Sequence, residues 1–149
     1  DSKTLTDKRI LSIAPKIEKI AGIAVKNLYP EEYNEHKGSL TILLNNLHRE
    51  CYYSLKPGTH IVDKFPGCEV GDIAETEAET KYVEVAAASI VARAHALKQL
   101  ADLEKKAGFP IPKGSSHVSN GLAELKKRRS LHPNEFVKLN FKNVNAALR

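Results

Sequence analysis

The stretch from Glu69 to Glu84 concentrates oxygen chemistry. It holds six carboxylates, Glu69, Asp72, Glu75, Glu77, Glu79 and Glu84, against one base, Lys81. Carboxylates are hard donors of the kind that Mg²⁺ and Mn²⁺ select. From Lys98 onward the balance reverses, with eleven Lys or Arg against four acids, and Lys126, Lys127, Arg128 and Arg129 form a run. Opposed charge of this kind has two readings: two solvated faces, or an acidic pocket that gathers metal ions beside a basic surface that follows phosphates. Charge alone leaves both open. Two acids stand out by position, Asp63 within "HIVDKF" and Glu79 just ahead of "VEVAAASIVAR". Taken singly, Asp63 reads as a strand-terminating turn residue. Glu79 reads as a first-turn acid, worth only about 0.3–1 kcal/mol against a helix dipole.

The elements that must position these groups follow from periodicity. Ile10, Ile13, Ala14, Ile17 and Ala21 share one helical face, with Thr4 or Thr6 as cap and Pro15 as an interruption. Residues 22–28 read as a short strand. Leu40, Leu43, Leu44, Leu47, Cys51 and Leu55 mark a second amphipathic helix, and residues 60–65 a buried strand after the turn at Pro57 and Gly58. A long helix is expected over 79–107, closed by Gly108 and Pro110. Residues 112–116 read as a loop, and Ser119 as the cap of a short helix ending near Arg129. Residues 134–148 read as a last helix with Phe136 or Val137, Phe141, Val144 and Leu148 inward. The class is α/β with helices in excess.

Composition narrows the rest. A chain of 149 residues with 42% hydrophobic content supports one domain with a core. No apolar run approaches the ~18 residues of a membrane span, and no signal peptide is recognisable. The two cysteines, Cys51 and Cys68, and the six histidines have no metal-ligand spacing, so neither zinc nor a disulfide framework is expected. A cytoplasmic protein, monomeric and without a membrane partner, is the expectation.

Five segments, "DSKTLTDKRI", "HIVDKF", "VEVAAASIVARAHALKQL", "GFPIPKGSS" and "KLNFKN", occur in the order found in type 2 ribonucleases H. The chain resembles the HIII branch of that family over essentially its whole length, the "GF-x-x-PKG" and "L-x-F-x-N" patterns setting it apart from HII. The resemblance implies a ribonuclease H-like fold, a mixed sheet flanked by helices. It also implies cleavage of RNA in RNA–DNA hybrids by Mg²⁺ or Mn²⁺, with two ions held by four carboxylates. Asp63 matches the third of these and Glu79 the fourth, as catalytic and metal-binding residues. The first two, an Asp-Glu pair on the family's first strand, have no counterpart here. The expectation is therefore a single catalytic domain over 1–149, truncated at its N-terminus, with the first strands missing.

Chemistry agrees with that assignment. Two divalent ions about 4 Å apart activate a water and stabilise the leaving oxygen of a phosphodiester. The alanines would let the long helix lie close against the catalytic sheet, so that Glu79 reaches the metals. Lys3, Lys81, Lys113 and Ser115 are weaker candidates for contact with substrate. Their ordinary roles are a solvated terminus for Lys3, an ion pair with Glu77 for Lys81, and a plain loop for Lys113 and Ser115. Ser89 reads as a small packing residue. The competing class is a non-catalytic nucleic-acid-binding module that keeps the scaffold.

Overall fold

A computed structural model of the chain describes residues 2–113 and 118–148. It divides into two compact units, Asp1–Asn27 with Gly38–Leu97, and Leu28–Lys37 with Lys98–Arg149.

In the first unit a 3₁₀ turn, Ser2–Thr4, leads into α1, Asp7–Ile20. Thr6 caps it, its Oγ1 accepting from the Arg9 N–H at 3.3 Å. Pro15 does not interrupt this helix. The cost of a proline inside a helix is local, and Ile10 and Ala14 on the same element are fully buried. They meet Val91 and Ala94 of α4, Val83–Ala107, with Leu5, Ile17, Val25, Ile90 and Leu97 packed around them. Small Ala14 and Ala94 at this contact permit close helix approach. Residues 22–28 form no strand; they run as an irregular segment after Ala21, and the described residues give them no ladder partner.

The second helix of this unit, α3 (Leu40–Ser54), starts at Ser39, whose Oγ accepts from the Ile42 N–H at 3.3 Å. Two three-residue strands follow, β1 (Ile61–Asp63) and β2 (Ile73–Glu75), paired in parallel with Asp63 opposite Glu75. They form the only sheet among the described residues. The expected strand over 60–65 thus shrinks to its middle, and β2 carried no clear signal in the sequence. A parallel pair ordinarily needs a crossover of a dozen or more residues. Here the loop 64–72 turns back tightly through Gly67 and Gly71, both at positive φ. Buried Asn45 on α3 secures it, donating to the Gly67 carbonyl and accepting from the Glu69 N–H, each at 2.9 Å. A Cβ at Gly71 would stand 2.9 Å from Val62 Cγ2, so the return onto β1 requires glycine.

In the second unit, Leu103, Ala107, Leu122, Leu125, Phe136 and Val144 form the core. They come from the latter part of α4, from α5 (Val118–Lys127), from α6 (Lys142–Leu148) and from the turn before α6. Ser119 lies inside the first turn of α5, not ahead of it. The helix expected over 134–148 is replaced by a 3₁₀ turn at Pro133–Glu135, an irregular stretch and α6. Asn34, on the short helix α2 (Pro30–Glu35), is the cause. Its Nδ2 donates to the carbonyls of Asn134 (2.9 Å) and Val137 (2.8 Å), and its Oδ1 accepts from the Leu139 N–H at 2.8 Å. Those backbone groups are ones a continuous helix would have used. Phe136 and Val144 are buried as expected, but Phe141 is 52% exposed.

Candidate metal centre and its lysines

Asp63 ends β1, and its Oδ1 accepts from the Ala78 N–H at 3.3 Å. Ala78 is fully buried and opens the 3₁₀ turn Ala78–Thr80, which carries Glu79. Glu79 therefore does not start the long helix; it precedes α4 on a separate turn. That turn is set by Glu77 in the left-handed region, φ 56° and ψ 34°. The Glu77 carbonyl accepts from both the Thr80 N–H (3.0 Å) and the Thr80 hydroxyl (2.8 Å).

Asp63 and Glu79 line one cavity of about 630 Å³, walled by β1, α3 and α4 within the first unit. Asp63 is exposed, whereas the Glu79 side chain is only 11% exposed. Glu79 Oε2 is buried with no hydrogen-bond partner. Ala88 and Ala92 of α4 line the same cavity as β1, while Val91 and Ala94 of that helix pack on α1.

The lysines separate clearly. Lys3 lines the cavity, and its Nζ stands 3.9 Å from Glu79 Oε1. Lys81 is bound to Glu75 on β2 and not to Glu77. That ion pair and the Tyr82 hydroxyl (3.2 Å) hold the Glu75 carboxyl below its ordinary range, and Glu75 in turn raises Lys81. Lys113 belongs to the second unit, where it lines a different, mostly apolar cavity. Ser115 lies outside the described residues. Glu84 also lines the Asp63 cavity, a placement that its position on α4 did not signal in the sequence. Even so, no group of three or more His, Cys, Asp or Glu among the described residues is close enough to hold a metal ion. The donors present fit a hard cation in kind: two carboxylates, one with a buried oxygen that nothing satisfies.

The family model described as Ribonuclease HII matches residues 58–144, which include both carboxylates. The chain belongs to the ribonuclease HII family. Among curated proteins, a ribonuclease HIII of Bacillus cereus (strain AH187) and one of Bacillus anthracis (strain CDC 684) are each 33% identical to it. All of this chain and 56% of each relative are covered, so the chain spans about half the length of the ribonucleases HIII it matches. Among solved structures, Bst-RNase HIII in complex with Mn²⁺ matches with a TM-score of 0.84 at 28% identity, over 99% of this chain and 56% of that one. The ribonuclease H2 of Pyrococcus horikoshii OT3 matches with a TM-score of 0.76 at 23% identity, over 99% of this chain and 79% of that one. The architecture is thus that of a ribonuclease HII-family, ribonuclease H-like fold, helix-rich with a small parallel sheet. No helix among the described residues is long and apolar enough to cross a membrane.

Proposed function

We propose that Asp63 and Glu79 are the metal-binding residues of a ribonuclease H that cleaves the RNA strand of RNA–DNA hybrids. The observation that carries this reading is the buried, unpartnered Glu79 Oε2 in the cavity that Asp63 also lines. A buried carboxylate oxygen without a donor is costly to the fold, and a divalent cation is the partner that satisfies it. Mg²⁺ or Mn²⁺ bound there would activate water and neutralise charge on the scissile phosphate.

The chain's own contribution is placement. The Ala78 N–H orients Asp63, and the left-handed Glu77 turn carries Glu79 on the residue that follows Ala78. RNA would be distinguished through its 2′-hydroxyls and duplex shape, not through base sequence. With two such carboxylates in place, the 149-residue chain by itself is expected to cleave hybrid feebly at most.

The test is calorimetric titration of Mg²⁺ and Mn²⁺, combined with hybrid binding and cleavage. Each of Asp63→Asn and Glu79→Gln should weaken cation uptake by at least roughly tenfold. Uptake indifferent to both substitutions would sink the assignment. Hybrid binding without any cation uptake would instead favour a non-catalytic nucleic-acid-binding module.

A further inference from the structure

Ser89 directly follows three alanines, Ala86–Ala88, on α4, and a fourth alanine would serve that helix better by propensity. Its hydroxyl has a distant partner, Ser2, with the two Oγ atoms 2.6 Å apart. Arg93, one turn further along, donates from Nη1 to the Ser2 carbonyl and from Nη2 to Asp7 Oδ1, the latter at 2.9 Å. The Leu5 N–H also donates to the Ser2 carbonyl, at 3.3 Å. Ser2 is only 7% exposed as a result. Burying the Ser2 hydroxyl is unfavourable unless it finds a partner, and half-buried Ser89 supplies one, so this pair acts as a specific latch and adds little as packing.

What the latch fixes is the Ser2–Thr4 turn, and that turn carries Lys3. The Lys3 side chain is 82% exposed, yet its Nζ lies 3.9 Å from Glu79 Oε1, the oxygen other than the buried Oε2. An ammonium in solvent attracts a carboxylate weakly compared with a divalent ion. It can attend the carboxylate without blocking it.

We propose that Ser89 and Arg93 are positioning residues that hold Lys3 beside Glu79, and that the Lys3 ammonium is the resident countercharge which a divalent cation displaces. This rests on the reading of Asp63 and Glu79 as metal-binding residues. It explains why the three alanines of this helix are followed by a serine and, four residues on, an arginine.

The decisive experiment is a double-mutant cycle on the 149-residue chain, read by Mg²⁺ and Mn²⁺ calorimetry at low salt and by metal-free amide hydrogen exchange. Lys3→Gln should tighten cation binding roughly two- to fivefold, and added NaCl should erase the gain. Ser89→Ala should reproduce that gain with Lys3 present and add nothing in the Lys3→Gln background. Exchange at the Leu5 amide should accelerate in Ser89→Ala, with Arg93→Gln as a second variant that loosens the same turn.

An equal effect of Ser89→Ala in both backgrounds would reduce Ser89 to ordinary packing and overturn the proposal. So would cation binding that Lys3→Gln leaves unchanged or weakens, or Leu5 exchange that neither variant alters. A wild-type chain that takes up neither ion removes the metal-site reading itself. Uptake that ignores Lys3 removes only the present inference.

Discussion

Glu79 keeps one oxygen buried and unsatisfied, a state the fold tolerates without benefit to itself. Glu79→Met, of similar length and without charge, is expected to raise the thermal midpoint by roughly 2–4 °C while abolishing the cation response. Asp63→Asn should behave differently, because Asp63 is exposed and asparagine still offers an acceptor to the Ala78 N–H. Stability should stay within about 0.5 kcal/mol of wild type while cation affinity falls. Circular dichroism melts with and without Mg²⁺ separate the two cases. A second residue couples the same unit to pH. His48 stacks on Phe65 (ring centroids 5.6 Å apart) and faces His60 at 6.0 Å. Burial first, and the neighbouring His60 charge second, push His48 below its ordinary value of 6.5. The unfolded chain therefore takes up this proton more readily than the folded one. The stability His48 contributes is present above the unfolded value and is lost as pH falls through and below it. Thermal midpoints should drop between pH 7 and pH 5, and His48→Phe should flatten that drop. An unchanged slope in His48→Phe would show that other groups set the acid limb.

At the scale of elements, what the sequence announced was what depends on neighbouring residues. The Thr6 cap, the stripe of Ile10, Ala14 and Ile17, the apolar face of α3 and the glycine at the end of α4 are all local signals. Asp63 and Glu79 are singled out together by the family resemblance and not by a local signal, and both line one cavity. What the sequence concealed depends on distant partners. Residues 134–141 have the periodicity of a helix, and only Asn34, about a hundred positions earlier, diverts their backbone groups. Likewise β2 becomes a strand because β1 lies beside it, and the Ser2–Ser89 bond spans 87 positions. Pro15 misled in the other direction, since its propensity argued for a break that burial overrode. Asn34→Ala tests this account. Losing three partly buried hydrogen bonds should cost on the order of 3 kcal/mol in denaturant unfolding, and Asn34→Asp, which keeps the acceptor for Leu139 but sets a carboxylate oxygen against the Asn134 and Val137 carbonyls, should cost at least as much. A cost below about 0.5 kcal/mol would mean that the irregular stretch is held by other contacts.

For the whole molecule, the net charge of +5 is unevenly distributed, with the basic excess in residues 98–149. If that excess engages a hybrid through phosphates, affinity should fall with salt on a log–log plot by about 0.9 per contact, taking B-form DNA as a guide. A flat response would exclude phosphate contacts as the source of binding. The two-stranded sheet has a consequence of another kind, for the behaviour of the chain in concentrated solution. Each three-residue strand has a paired side and an open side among the described residues. Nearby Tyr53 is 79% exposed, and Leu55 is exposed as well. Open strand edges beside apolar side chains are templates for joining one chain to the next, and like charge is what keeps such chains apart. Colloidal stability should therefore be poorest near the isoelectric pH of about 9.2, and in high salt at any pH. Light scattering across that range would register clustering first where the repulsion vanishes, and Tyr53→Lys should delay it.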